Sequence, residues 1–191
     1  MSAFAARAAM LADLPVVCSW VDDADTLFYL HPRAQFPLTV AQLAEAFAAR
    51  ALNTVLLADG APVAFANCYR HTPGECAMIG NVIVAPAWRG RGAARALLAA
   101  MAQQAIARWQ VRELGVSCFN GNVAGLLCYP ALGFAPHAVE ARQRDGQPVA
   151  LLHFRASAAA LATAGAIFII SRGSKGLGIR YSGPKLRLAP A

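Results

Sequence analysis

Arginine and glycine alternate through Arg89-Gly90-Arg91-Gly92, and Ala93, Ala94 and Arg95 follow where a helix opens. Two glycines this close let a backbone turn sharply and approach a ligand without a Cβ in the way. The first N–H groups of a helix have no intrahelical partner, so they are free to hold an anion. The helix dipole adds roughly 0.3 to 1 kcal/mol per anion contact, and nearby guanidiniums can add charge-assisted hydrogen bonds. A pyrophosphate fits this chemistry. A plain corner with Arg89, Arg91 and Arg95 in solvent fits it as well.

A second segment, "NVAGLLCYPALGF" at 122–134, places Asn122 where a helix starts and Tyr129 within that helix. Asn122 is an N-cap by residue type. Tyr129 carries a phenol with an ordinary pKa of about 10, so it is protonated at neutral pH and able to give a proton. Filling a crevice of the sheet is its other reading.

The elements that must position these residues follow from period and punctuation. A strand over 3–8 precedes a helix from Asp13 and Pro15 to about Val21, then a loop over 22–38. Thr39 and Gln42 form a capping box for a helix that ends near Arg50. Three strands follow, "NTVLLA", "PVAFANCYR" and "CAMIGNVIVA", with a turn at Asp59-Gly60 between the first two. A helix of about 17 residues carries Leu97, Leu98, Met101, Ala105 and Ile106 on one stripe. The strand "RELGVSC", a helix over 122–131 and a hairpin around Asp145-Gly146 complete the order.

This order predicts an α/β (α+β) fold, a mixed and mostly antiparallel sheet of six to seven strands flanked by about four helices. It is complete at Arg155, so residues 1–155 are expected as one domain and 156–191 as a basic, Gly- and Pro-containing extension, flexible or loosely docked. Within the extension, "IFIISRGSKGLG" looks like a strand and glycine turn that bind dinucleotides. Only 13 residues follow Gly178, too few for the helix and acidic ribose ligand such a site needs.

At 191 residues the chain has room for one domain with its own core. A hydrophobic fraction of 58% with 14% charged residues excludes a disordered chain. The net charge of +7 is largely a property of the tail, because residues 156–191 hold Arg172, Lys175, Arg180, Lys185 and Arg187 and no acid. Without interleaved aromatics or a binding motif, that tail argues against nucleic acid as a partner. Cys18, Cys68, Cys76, Cys118 and Cys128 show no metal-ligand spacing and read as reduced cysteines of a cytoplasmic protein. No apolar run reaches the roughly 18 to 20 residues of a membrane span, which argues against a membrane protein.

Taken together, "RGRGAA" resembles the Q/R-x-x-G-x-G/A signature of the GNAT acyl-CoA N-acyltransferases. "NVAGLLCYPALGF" resembles the C-terminal motif of that family, with Asn122, Tyr129, Gly133 and Phe134 at its positions. The resemblance covers residues 1–155. It implies a sheet that splays between its fourth and fifth strands to take acetyl-CoA as co-substrate. By the same resemblance, backbone at Val82, Ile83 and Val84 would pair with the pantetheine arm, and Arg89, Gly90, Arg91, Gly92, Ala93 and Ala94 would hold the pyrophosphate. Asn122 would touch the pantetheine or orient its helix, and Tyr129 would be the general acid.

The expected activity is transfer of an acetyl group to a primary amine of a small molecule or peptide by direct attack. A catalytically silent acyl-CoA-binding sensor or scaffold is the alternative, because the family's carboxylate bases are missing. Five residues before Asn122 stands Ser117, and the base position on the fourth strand falls near Met78. Glu75 and His71 remain as candidate bases, beside a water chain. Trp20, Phe28, Tyr29 and Phe36 with Asp22, Asp23 and Asp25 could wall an acceptor pocket. No metal is expected, and association as a homodimer is left open.

Overall fold

In the computed structural model, residues 4–164, 167–173 and 176–182 are described. The strands are β1 (Phe4–Ala8), β2 (Ala51–Ala58), β3 (Ala61–Thr72), β4 (Cys76–Val84), β5 (Glu113–Phe119), β6 (Ala135–Arg144) and β7 (Gln147–Ser157). A further hairpin, β8 (Ile167–Gly173) and β9 (Gly176–Ser182), follows. The helices are α1 (Leu14–Cys18), α2 (Ala24–Leu30), α3 (Val40–Ala49), α4 (Ala93–Trp109), α5 (Val123–Ala131) and α6 (Ala158–Thr163). All lie in or on one sheet of order β6-β7-β5-β4-β3-β2-β1-β8-β9. Its pairings are antiparallel except β4 with β5 and β1 with β8. Among the described residues, no helix is long and apolar enough to cross a membrane.

Local chemistry explains most of the boundaries. Asp59-Gly60 and Asp145-Gly146 both have positive φ at the two turn positions (50° and 80°, 50° and 77°), the geometry of a two-residue hairpin. Thr39 Oγ1 accepts from the Gln42 N–H at 3.3 Å and caps α3. The segment 22–38, expected as a loop, holds α2. Asp23 caps it by accepting from Thr26 N–H at 2.6 Å, and Leu27 and Leu30 are buried beneath it.

Two cores lie on opposite faces of the sheet. On one face, Leu14, Val17, Leu43, Phe65 and Ile83 pack under α1, α2 and α3. On the other, α4 lies against the sheet with Leu97, Leu98 and Met101 buried, each worth about 1.5–3 kcal/mol. Ala99, Ala100 and Ala102 of α4 are buried too, beyond the expected stripe. The reason is α6, which packs along α4 with Ala158 and Leu161 buried, while Gln103 donates to the Ala162 carbonyl at 2.8 Å. Small side chains let two helices approach closely.

Within "IFIISRGSKGLG", β8 is followed by β9, antiparallel to it, rather than by a helix. The expectation for residues 156–191 reaches 165–166, 174–175 and 183–191, which lie outside the described residues.

Candidate functional site

Strands β4 and β5 begin side by side and then part. Their register runs from Cys76 opposite Glu113 to Ile79 opposite Val116, and no pair follows. Beyond that point Gly80–Val84 of β4 and Ser117–Phe119 of β5 face a wedge. A bulge helps to open it: Asn81 sits at φ 48°, and the β3–β4 register shifts between Phe65 and Asn67. Bulges bend a strand and end its pairing. Ala85 N–H donates to the Val63 carbonyl on β3 at 2.8 Å. By strand alternation, the backbone groups of Val84 and Val82 then turn to the opposite, open edge.

A cavity of about 1800 Å³ runs through this wedge. On the α4 side it is lined by the turn 89–94 and by α5. Gly90 (φ 72°) and Gly92 (φ 83°) both hold left-handed backbone, and a Cβ at either would meet open space. Gly92 is the N-cap of α4 and no side chain among the described residues caps the helix, so its first N–H groups are left to the cavity. Arg89 Nε lies 3.4 Å from the Val84 carbonyl, and Arg95 donates to the Ala131 carbonyl at 3.1 Å.

Helix α5 brings Tyr129 to the same cavity. Asn122 Oδ1 accepts from Gly125 N–H at 3.0 Å and starts the helix as a cap. The Tyr129 ring packs edge-on to Phe134 (5.8 Å between centroids) and against Phe154 (6.0 Å). Burial, with smaller contributions from Cys118 and Cys128, pushes the Tyr129 phenol above its ordinary range, so it keeps its proton. Burial likewise raises the Cys118 thiol to about 11, which leaves it neutral.

The other face of the wedge is polar. Arg50 Nη1 donates to Asn67 Oδ1 at 3.1 Å and to Asn81 Oδ1, and Asn81 Nδ2 reaches the Leu30 carbonyl at 2.7 Å. The Arg50 guanidinium lies over the Tyr69 ring, 5.7 Å from its centroid. Among the described residues, Arg50 has no carboxylate partner. Desolvation is the largest influence on it and lowers its pKa. Gly80 makes room for this layer: a Cβ there would stand 2.9 Å from Tyr69 Cδ1 and 3.1 Å from Arg50 Nη1. Gly80→Ala is therefore expected to cost about 1–2 kcal/mol, a fall of about 4 °C in Tm, read by thermal denaturation.

Of the residues expected at a site, Val82, Ile83, Val84, Arg89, Gly90, Gly92, Ala93, Ala94, Asn122 and Tyr129 line this one cavity. Arg91 does not; its guanidinium lies over the Trp88 ring, 5.6 Å away. Glu75 is exposed in the turn at the far end of β4, and His71 stacks on Trp109 at 3.8 Å, both outside the lining. Met78 is buried over Gly115. Asp22, Asp23 and Asp25 are not in the lining either: Asp23 caps α2 and Asp25 pairs with Arg144 at 2.5 Å. Phe28 and Tyr29 do line it, while Trp20 is buried in the core and Phe36 is exposed.

Sequence reading passed over Arg50, Tyr69, Glu140 and His153, which also line the cavity. Nothing in their local sequence marks them, because they come from the end of α3 and from three strands. The pairing of β5 with β7 puts His153 opposite Ser117, and the pairing of β6 with β7 brings Glu140 beside it.

Residues 17–134, more than half of the chain, match the model of the Acetyltransferase (GNAT) family. Among curated proteins the chain has no match. Solved structures share the fold. A chimera of the spermidine N-acetyltransferase SpeG from Vibrio cholerae and hSSAT superposes with a TM-score of 0.67 at 15% identity, covering 84% of this chain and 98% of that one. The ribosomal-protein-alanine N-acetyltransferase from Brucella melitensis gives 0.63 at 24% identity, covering 80% and 98%. The aminoglycoside acetyltransferase AAC(6')-Ib, solved in complex with coenzyme A, gives 0.63 at 15%, covering 83% and 96%.

Proposed function

Since the chain belongs to the GNAT acetyltransferase family, we propose that it moves an acetyl group from acetyl-CoA to a primary amine of a small molecule or peptide by direct attack. The observation that carries this reading is the wedge: an open strand edge, an uncapped helix N-terminus and a neutral phenol all border one cavity. When bound there, acetyl-CoA supplies the thioester whose acetyl group is transferred.

The residues present fit that molecule. The backbone of Val82 and Val84 offers hydrogen bonds to the amides of an extended pantetheine arm, as a neighbouring strand would. The turn 89–94, with positive-φ glycines and the free N–H groups of α4, suits a pyrophosphate. Gly92→Val strains that turn by about 1–2 kcal/mol and is expected to weaken acetyl-CoA about tenfold in calorimetric titration.

Catalysis needs a proton donor for the departing sulfur and a neutral attacking nitrogen. Tyr129 supports the first role, because burial keeps its proton and its ring is held between Phe134 and Phe154. Arg50 bears on the choice of amine. A half-buried guanidinium with no carboxylate partner among the described residues favours an acceptor that carries an anionic group beside its amine.

The deciding experiment follows free thiol while acetyl-CoA is offered with glycine, L-alanylglycine, putrescine and spermidine. Turnover is expected, with glycine or the dipeptide ahead of the polyamines. Calorimetric binding without thiol release from any amine would instead support a silent acyl-CoA-binding module. Absence of acetyl-CoA binding would defeat the reading altogether.

A further inference from the structure

Residues from β5, β6 and β7 form a connected chain of polar side chains on the face of the wedge opposite Tyr129. Ser117 is the first residue of β5 beyond its pairing with β4, so it stands at the apex of the wedge. Its neighbours Val116 and Cys118 are buried in the α4 core, and alternation turns Ser117 to the other face. There Ser117 Oγ is 2.8 Å from His153 Nδ1, and His153 Nε2 is 3.4 Å from Glu140 Oε2. Tyr69 Oη lies 3.4 Å from the same Ser117 Oγ. Ser117, His153, Glu140 and Tyr69 all line the cavity.

A carboxylate 3.4 Å from Nε2 favours the tautomer that carries its proton there. A neutral imidazole that donates Nε2–H to Glu140 has its lone pair on Nδ1, where it accepts the Ser117 hydroxyl proton. The serine oxygen then has lone pairs free for an incoming N–H. Charged groups on the neighbouring strands have partners of their own, and Arg50 lies over the Tyr69 ring, 5.7 Å from its centroid. Arg142 on β6 is paired with Glu140 at 3.0 Å, Arg155 on β7 is paired with Glu113 of β5 at 2.9 Å, and Tyr69 comes from β3.

From this geometry we infer that Ser117, His153 and Glu140 form the proton-accepting relay for the attacking amine, an inference that rests on the transferase reading above. Nitrogen forms its bond to the thioester carbonyl carbon, and the C–S bond breaks with its electron pair going to sulfur. The nitrogen proton passes to Ser117 Oγ as the serine proton passes to His153 Nδ1, and sulfur takes the Tyr129 proton. Imidazolium and phenolate return to neutral by exchange with solvent as the products leave. Glu140 acts through His153 as a positioning residue: it orients the ring and stabilises the imidazolium. The proton leaves nitrogen on one face of the sheet and reaches sulfur from the other, so the two transfers do not compete.

Two measurements on the full chain test the relay. Long-range ¹H–¹⁵N NMR is expected to find neutral His153 protonated on Nε2; a neutral ring protonated on Nδ1 overturns the relay. Kinetics use acetyl-CoA with whichever of glycine, L-alanylglycine and putrescine releases thiol fastest. His153→Gln is expected to lower kcat about 10²-fold at pH 7, with acetyl-CoA affinity by calorimetry unchanged. The deficit should shrink as pH nears the pKa of the amine, where the attacking nitrogen needs least help in losing its proton. Glu140→Gln should lower kcat less than His153→Gln does, with the NMR spectrum showing loss of the preference for the Nε2-protonated ring, which a merely structural role would not do. Acetyl-CoA binding with an unchanged kcat in His153→Gln overturns the relay alone. Failure of the wild-type chain to bind acetyl-CoA overturns the transferase reading and the relay with it.

Discussion

Tyr129→Phe is expected to lower kcat for acetyl transfer by about 10²- to 10³-fold, within the roughly 10²- to 10⁴-fold contribution of a positioned general acid. The affinity for acetyl-CoA should change little, because the expected contacts to that molecule come from β4 and the turn 89–94 instead. Stability should hold as well. The ring keeps its packing against Phe134 and Phe154, and the Tyr129 hydroxyl makes no hydrogen bond among the described residues. A phenol raised by burial also keeps its proton above the usual pKa of about 10, so it should add no alkaline limb in the neutral range. Steady-state kinetics, calorimetry and a thermal melt of the one variant separate these statements. A fall in Tm of many degrees with a proportionate loss of binding would reduce Tyr129 to a packing residue.

Asp13→Asn is expected to cost about 3 kcal/mol of folding stability, because it breaks an ion pair that is largely buried. Both Asp13 oxygens accept from Arg7, at 2.7 and 2.8 Å, and Oδ2 also accepts the Met10 N–H at 2.7 Å. The carboxylate is 7% exposed, against 22% for the Arg7 side chain. Its bonds to Arg7 are the largest influence on it and hold its pKa below the ordinary value. A depressed carboxylate stabilises the fold fully above its unfolded pKa of about 3.9, and that contribution fades as pH falls below it. Urea titrations at pH 7 and pH 3 test the sign. The gap between wild type and Asp13→Asn should be full at pH 7 and smaller at pH 3.

Much of this was legible from local patterns. The hairpin turns at Asp59-Gly60 and Asp145-Gly146, the caps at Thr39 and Asn122 and the helix over 93–109 each depend on residues within a few positions of one another. Local steric rules decide such features, and local sequence carries them. Helix α2 was harder to read. Its seven residues lie among aspartates and before Pro32, and it is held by packing of Leu27 and Leu30 that no periodicity that short can reveal. Burial of the alanines in α4 was also hidden, since alanine has little amphipathic signal and the covering helix α6 arrives some fifty residues later.

By itself, then, the sequence determined the mixed sheet, the glycine turn that opens α4 and the placement of Tyr129 in a helix after the fifth strand. Those depend on contiguous motifs whose spacing is set by helix and turn geometry. The tertiary structure alone decided which side chains meet across the wedge. Pairing stops after Ile79 and Val116, Arg50 arrives from the end of α3 with no carboxylate partner among the described residues, and strand register sets Ser117 against His153 and Glu140. Register is the product of long-range packing, and a slip of one residue would turn each of these side chains to the other face of the sheet.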